Sequence, residues 1–260
     1  MMLPVLGIPV SPELVDKWKN FWSFPVQPFP VKGLPAELLE QLPASRDVTP
    51  SGEYRDTFYL YDAADRRFYS QGDIASLPGN VRSELLRVQK NSYPEPIVPA
   101  WPGDPFLLPK MIRWIEHGVR SSLHEIAAQS LEAASSEKLP AAKSLAGTFA
   151  ERSGPNCFHT VMCAAGENPP DPWVTQDVFT EFLERRAEPL KDNRADATAG
   201  VIFTWTLHGE LAHAAVTLGD GWSLVKPSQS WSSPRLVWTV PEVVASWRIK
   251  GATMQRWMLV

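Results

Sequence analysis

From residue 200 onwards the sequence is a series of strand-like segments separated by turns, and this pattern constrains the fold most strongly. The segments are GVIFTWTLHG, ELAHAAVTLG, GWSLVKP, RLVWTV and MQRWMLV. The GDG at 219–221 predicts a tight hairpin between two of them, because glycine adopts the positive φ that such a turn requires. Two helices are predicted before the strands, one after Cys157 and one over 173–188. Helices followed by an antiparallel sheet indicate an α+β fold.

Prolines are concentrated in two segments nearer the N-terminus. Nine lie within residues 1–50 and six within 93–109. Both segments are expected to be extended and irregular, because proline fixes φ and donates no backbone hydrogen bond. Between them, residues 54–71 alternate in polarity and turn at Ala63–Asp65, which predicts a β-hairpin. A helix is expected near 80–90.

The remaining helical signals lie in the middle of the chain. Apolar residues recur at helical spacing through residues 110–135 and predict one long helix, and a further helix is expected over 140–151. The sequence therefore indicates two regions. Residues 1–109 form a proline-rich N-terminal region with a hairpin, and residues 110–260 form a helix-plus-antiparallel-sheet domain.

Composition excludes several classes of function. A net charge of −4 provides no electrostatic basis for binding nucleic acid. No apolar run approaches the roughly 20 residues of a spanning helix, so no integral membrane segment is predicted. The mildly apolar N-terminus is interrupted by Pro4 and Pro9 and has no basic start, so a signal peptide is not expected. Two cysteines do not form a disulfide framework, and a cytoplasmic location is expected.

Cys157 follows the turn-prone residues SGPN and precedes an apolar helical run. A nucleophilic thiol needs access, a lowered pKa and a neighbouring base, and a helix N-terminus supplies N–H groups that stabilise a thiolate or an oxyanion. The competing interpretation is a buried cysteine that acts as a small hydrophobic residue. Cys163 lies about 240° further around the same helix, so it is expected to be buried in the core and unreactive.

His213 is the candidate base, because it begins a strand that could face the start of the Cys157 helix across helix-on-sheet packing. The competing interpretation is a half-buried strand histidine that is hydrogen-bonded to a neighbour. The string HGELAH is not a zinc motif, because its histidines are five residues apart and lie on a turn and a strand. No metal site and no cofactor are predicted. We expect the Cys157 sulfur to lie within about 4 Å of a ring nitrogen of His213.

These residues resemble the NlpC/P60 branch of the papain-like cysteine hydrolases. In that family an Asp/Asn-Cys pair begins a helix, and a later strand begins with histidine and runs into a Gly-x-Gly turn. Asn156–Cys157 and the segment from His213 to Gly221 match in that order. The segment NCFHTV also resembles lecithin:retinol acyltransferase-like proteins, in which the histidine strand precedes the cysteine. The resemblance implies a papain-like core in which the nucleophile helix packs on the sheet.

The family also has a polar residue that orients the histidine, often twelve positions beyond it, and this position is Val225 here. Valine cannot accept a hydrogen bond from the imidazole. Gln229 is our preferred orienting residue, because its amide oxygen is an acceptor and the hairpin register could bring it near His213. Ser228 is the second choice. Lys226 is a poor candidate because its ammonium group has no acceptor.

The sequence therefore predicts a cysteine peptidase or amidase that acts on a small peptide or acyl substrate through Cys157 and His213. Peptides of the cell-wall type are the substrates that the resemblance implies. Two alternatives remain open. The chain could be an acyltransferase of the same superfamily, or a non-catalytic binding or effector domain on a degraded hydrolase fold.

Overall fold

The computed structural model describes residues 2–61, 65–92 and 99–260. The backbone divides into two compact units. One comprises Ser11–His117, and the other comprises the residues up to Val10 together with Gly118–Val260. The boundary expected between residues 109 and 110 falls within a helix of the first unit, whereas the backbone divides after His117.

The chain begins with a short hairpin of β1 (Leu3–Val5) and β2 (Ile8–Val10). Leu6 and Gly7 form its two-residue turn, and both have a positive φ. Such turns suit the right-handed twist of paired strands. The sequence did not predict this hairpin, because the prolines at 4 and 9 pointed to an irregular segment.

The Ser11–His117 unit is mostly helical. Its elements are α1 (Pro12–Trp22), β3 (Val26–Pro30), α2 (Ala36–Leu39), α3 (Gly52–Phe58), β4 (Arg66–Ser70), α4 (Gln71–Ser76), α5 (Gly79–Ser92) and α6 (Leu107–Glu116). The Ser11 hydroxyl caps α1 by accepting from Leu14 N, and Pro12 occupies the first helical turn, where it sacrifices no hydrogen bond. The helix expected near 80–90 is present as α5.

The hairpin predicted over residues 54–71 is wrong. Its first half is α3, which begins where the Ser51 hydroxyl accepts from Tyr54 N and ends at Tyr59 in the left-handed region. Its second half is β4, which pairs with the proline-containing strand β3. Of the predicted turn, Ala63 and Ala64 lie outside the described residues.

The larger unit contains the remaining elements. They are α7 (Ala128–Glu137), α8 (Ala142–Leu145), α9 (Cys157–Ala164), α10 (Gln176–Arg186), β5 (Ala187–Leu190), β6 (Ala199–Leu207), β7 (Glu210–Gly219), β8 (Trp222–Val225), β9 (Leu236–Thr239), α11 (Val240–Ser246) and β10 (Ala252–Leu259). The helix expected over 140–151 is reduced to the single turn of α8.

The single long helix predicted over 110–135 is also wrong. Gly118 has a φ of 67° just after α6, and helical structure resumes only at α7. The intervening backbone bonds to other parts of its unit, with Ser122 N donating to Leu6 O and Leu123 N donating to Val237 O. These tertiary hydrogen bonds replace the helical ones that the apolar periodicity predicted.

The strands of this unit form a six-stranded antiparallel sheet in the order β5-β10-β6-β7-β8-β9. The α+β class predicted from the sequence is confirmed, and the hairpin at 219–221 forms as expected, with positive φ at Gly219, Asp220 and Gly221. Strand β5 was not predicted. It contains Pro189 and lies at the sheet edge, where a missing N–H is tolerated.

Helix α9 packs on the centre of this sheet, against β7 and β8, and α10 packs beside it. The shared core includes Val161, Phe182, Ile202, Val216 and Leu224, each at most 1% exposed. This packing fixes the start of α9 relative to β7. In the described part of the chain, no helix is both long enough and apolar enough to cross a bilayer.

Candidate active site around Cys157 and His213

Cys157 is the first residue of α9, as the sequence predicted. Asn156 caps the helix, because its Oδ1 accepts from His159 N at 2.9 Å. The Asn156 amide also donates to Val174 O at 2.7 Å and so ties the helix start to the segment before α10. Of the first-turn N–H groups, those of Cys157 and Phe158 lie close to the thiol, where they favour its anionic form.

His213 lies on β7 directly after a bulge. Trp205 of β6 pairs with His213, whereas the next residue, Thr206, pairs with Leu211, so Ala212 is the extra residue. A bulge changes which face of the sheet the following side chain occupies. His213 is 1% exposed, and its ring lies among aromatic side chains.

Cys157 and His213 border the same cavity, which has a volume of about 500 Å³. Its wall is built from residues 156–158, 173–177, 211–213 and 227–229, and from Trp247. The side chain of Gln176 joins two of these segments, because its Oε1 accepts from Leu211 N at 3.1 Å. The structure thus brings together the predicted nucleophile, the predicted base and both candidates for the orienting residue. Within the described chain, however, no hydrogen bond joins the Cys157 thiol to the His213 ring.

Burial keeps both groups neutral. It raises the pKa of the Cys157 thiol to about 11. Smaller effects lower this pKa: first the backbone N–H of Ala214, then those of Phe158 and Cys157, and last the charge of Lys226. Burial also lowers the pKa of His213 to about 3. In the resting state the site therefore contains a thiol and a neutral imidazole rather than an ion pair.

The His213 ring is held by aromatic contacts. Trp247 stacks on it with ring centroids 4.5 Å apart and planes at 11°, and Trp205 lies against it at 5.5 Å and 42°. Nε2 of His213 has no hydrogen-bond partner among the residues that the structure describes.

Gln229 and Ser228 border the cavity, but neither forms a hydrogen bond with Nε2 of His213 in the described structure. The Gln229 carbonyl accepts from Gly154 N at 3.0 Å, in the turn before Cys157. The Ser228 hydroxyl accepts from Ser230 N at 3.0 Å. Both residues therefore belong to a serine-rich loop, residues 226–235 between β8 and β9. This loop forms hydrogen bonds within itself and with the turn that precedes Cys157.

Lys226 organises this loop, and its role was missed in the sequence. Its side chain is fully buried, and Nζ donates to the carbonyls of Ser228, Ser230 and Ser233, the last two at 3.1 and 2.7 Å. A buried lysine must be hydrogen-bonded to remain charged. The only sequence signal was a lysine that directly follows the apolar strand segment WSLV.

Cys163 is not buried in the core as predicted. It faces away from Cys157, but it is only half-buried, and its sulfur lies 3.5 Å from Nδ1 of His159. Burial raises the pKa of the Cys163 thiol, and the Arg235 guanidinium opposes that shift. Arg235 is 8% exposed. The expectation that Cys163 lies in the core is wrong, because the outer face of α9 carries His159 and is partly open to solvent.

Comparisons of this chain with protein families, curated proteins and solved structures find no match. Within residues 2–61, 65–92 and 99–260, no cluster of three or more histidine, cysteine, aspartate or glutamate side chains could hold a metal ion.

Proposed function

We propose that the chain is a cysteine hydrolase that cleaves an amide bond in a small peptide, with Cys157 as nucleophile and His213 as base. One observation carries this proposal: a thiol at a helix N-terminus and a strand imidazole border one cavity. A helix that begins with cysteine and packs on an antiparallel sheet also supports a papain-like core of the NlpC/P60 arrangement. Both cysteines are unpaired, which fits the reducing cytoplasm expected from the sequence.

The neutral resting state determines how the reaction begins. Because no thiolate is preformed, the Cys157 proton moves to His213 while Sγ bonds to the substrate carbonyl carbon. Contact between the thiol and the imidazole tightens when the substrate binds, as is common for catalytic hydrogen bonds that are loose in the free enzyme. The oxyanion is stabilised by the backbone N–H groups at the start of α9.

The rest of the cycle conserves the proton. The C–N bond breaks as the imidazolium of His213 returns the proton to the leaving amine, which leaves a thioester on Cys157. Water then attacks the thioester carbonyl and gives its proton to His213. The C–S bond then breaks, the acid product leaves, and the His213 imidazolium returns the proton to the Cys157 thiolate, which restores the thiol.

The cavity suits a compact substrate. Its wall combines aromatic and apolar groups, including Phe158, Trp173 and Leu211, with neutral polar side chains such as Gln176. Such a mixture orients a ligand by a few hydrogen bonds while burying its apolar part. We therefore propose short peptides or small acyl compounds as the substrate class.

Acyl-enzyme formation can be tested without knowing the natural substrate. The chain is incubated with p-nitrophenyl acetate, release of nitrophenol is followed, and the acetylated cysteine is located by peptide mapping. We expect a burst of nitrophenol and acetylation of Cys157 that are lost in Cys157→Ser and retained in Cys163→Ser. Acetylation confined to Cys163 would overturn the proposal. If the acetyl group passes to an added amine or lipid instead of water, the chain is an acyltransferase.

A non-catalytic binding domain is the second candidate, and the low solvent exposure of the Cys157 and His213 side chains favours it. Cys157 is 8% exposed and His213 is 1% exposed, and burial moves both pKa values away from neutrality. A chain of this kind would bind ligands in the cavity without acetylation of Cys157.

A further inference from the structure

We propose that Trp247 is a positioning residue that holds the His213 ring by stacking, in place of the hydrogen-bonded third residue of a catalytic triad. This inference rests on the proposed function. It concerns the part of the site for which the sequence offered only Gln229 and Ser228.

The contact between the two rings is close and nearly parallel. The centroids of Trp247 and His213 are 4.5 Å apart, and their planes differ by 11°. Trp205 closes the cluster, at 5.5 Å from the His213 ring and 6.1 Å from the Trp247 ring. Rings packed in this way cannot rotate about χ2 without displacing a neighbour. The His213 ring is therefore fixed by shape alone.

The usual means of fixing a catalytic imidazole is absent from the described residues. Nε2 of His213 has no donor or acceptor within hydrogen-bonding distance. The Ser228 hydroxyl accepts from Ser230 N, and no described side chain, Gln229 included, forms a hydrogen bond with Nε2 of His213. An imidazole without an oriented partner would lose the alignment that a base requires.

Stacking also acts on the charge that forms during the reaction. When His213 takes the thiol proton, its ring becomes a cation that lies over the face of an indole, and cations are attracted to that face. The same indole keeps water from the ring, so it disfavours the imidazolium at rest. Trp247 therefore has two opposing effects, and burial is the cause of the lowered His213 pKa. Besides His213 itself, the titratable side chains that border the same cavity are Cys157 and Asp177.

The position of Trp247 makes the inference testable without removing core packing. It is half-buried at the C-terminal cap of α11, and exposed residues 248–251 follow it. Replacement by phenylalanine keeps a stacking ring, whereas replacement by alanine removes it. Trp173 provides a matched control, because it borders the same cavity, is 48% exposed and makes no ring contact with His213 among the described residues.

The experiment follows the His213 imidazole proton by NMR through a pH titration, with the resonance assigned from His213→Gln. We expect Trp247→Ala to raise the His213 pKa towards its ordinary value. Trp247→Phe and Trp173→Leu are expected to leave this pKa low. In parallel, the rate of Cys157 acetylation by p-nitrophenyl acetate should fall at least about tenfold in Trp247→Ala and stay within about threefold in Trp247→Phe.

An unchanged His213 titration and an unchanged acetylation rate in Trp247→Ala would overturn the inference. So would equal losses in the alanine and phenylalanine variants, because a stacking ring would then give no rescue. If Trp247→Ala does not fold, the comparison of Trp247→Phe with Trp247→Leu decides in the same way. The NMR titration needs no catalysis. A dead enzyme with a ring-dependent His213 pKa would therefore refute the proposed function and leave the stacking role intact.

Discussion

The sulfur of Cys163 lies 3.5 Å from Nδ1 of His159, which stands four residues earlier on α9. The helix thus carries a second thiol–imidazole pair on the face opposite Cys157. This pair does not border the cavity that Cys157 and His213 share. We therefore propose Cys157, rather than Cys163, as the reactive thiol, and the outer pair is a contact on a half-buried surface.

This assignment predicts that Cys163→Ser retains the burst with p-nitrophenyl acetate within about twofold, because the substituted atom lies outside the cavity. His159→Gln is the matched substitution on the same face of α9 and should behave alike. Burst kinetics with peptide mapping provide the measurement. Loss of the burst in either variant would mean that the outer pair is the reactive one.

Gln229→Ala is expected to lower turnover by less than about tenfold. The reason is that the His213 ring is stacked on Trp247, and its Nε2 forms no hydrogen bond to Gln229 in the described structure. Steady-state hydrolysis of the same ester measures the effect, with Cys157→Ser as the inactive reference. A loss of two or more orders of magnitude would restore Gln229 as the residue that orients the base.

Lys226→Met should lower the free energy of unfolding by roughly 3 kcal/mol or more, because three loop carbonyls lose a charged donor. The exposed Lys250→Met is the control and should change stability by less than about 0.5 kcal/mol. Urea denaturation of the two variants measures the difference. Equal midpoints for Lys226→Met and wild type would contradict the role given to Lys226 in holding the serine-rich loop.

Stability is expected to fall as the pH is lowered from about 7 to about 5. The unfolded chain protonates His213 near its ordinary pKa of 6.5, whereas burial keeps the folded pKa at about 3, so the unfolded state binds more protons in this range. At pH 5 this single group removes about 2 kcal/mol. Urea unfolding at both pH values should show a smaller loss in His213→Gln than in wild type.

Short-range sequence signals made much of the larger unit, the one that contains Gly118–Val260, predictable. The glycines at 219 and 221 specify a hairpin, and Asn156 before an apolar run specifies a helix start, because each acts on the backbone within a few residues. The strand alternation likewise placed β6 and β7. These features give the α+β class and put Cys157 at the N-terminus of α9.

Long-range contacts account for what the sequence did not reveal. The apolar periodicity through 110–135 is interrupted because Ser122 and Leu123 bond to distant backbone groups. The bulge at Ala212 depends on the register between β6 and β7. The stack on His213 depends on Trp247, which lies 34 positions further along the chain. A one-residue change of register reverses a side chain's face, so such a partner cannot be assigned from spacing alone.

The pairing of Cys157 with His213 is tested most directly by the rate of Cys157 alkylation with iodoacetamide at neutral pH, followed by peptide mapping in wild type and in His213→Gln. We predict that Cys157 is alkylated in wild type and that its rate falls at least about tenfold in His213→Gln, because the base that takes the thiol proton is gone. The rate at Cys163 should be the same in both proteins. A Cys157 rate that is unchanged by His213→Gln, or labelling confined to Cys163, would contradict the account.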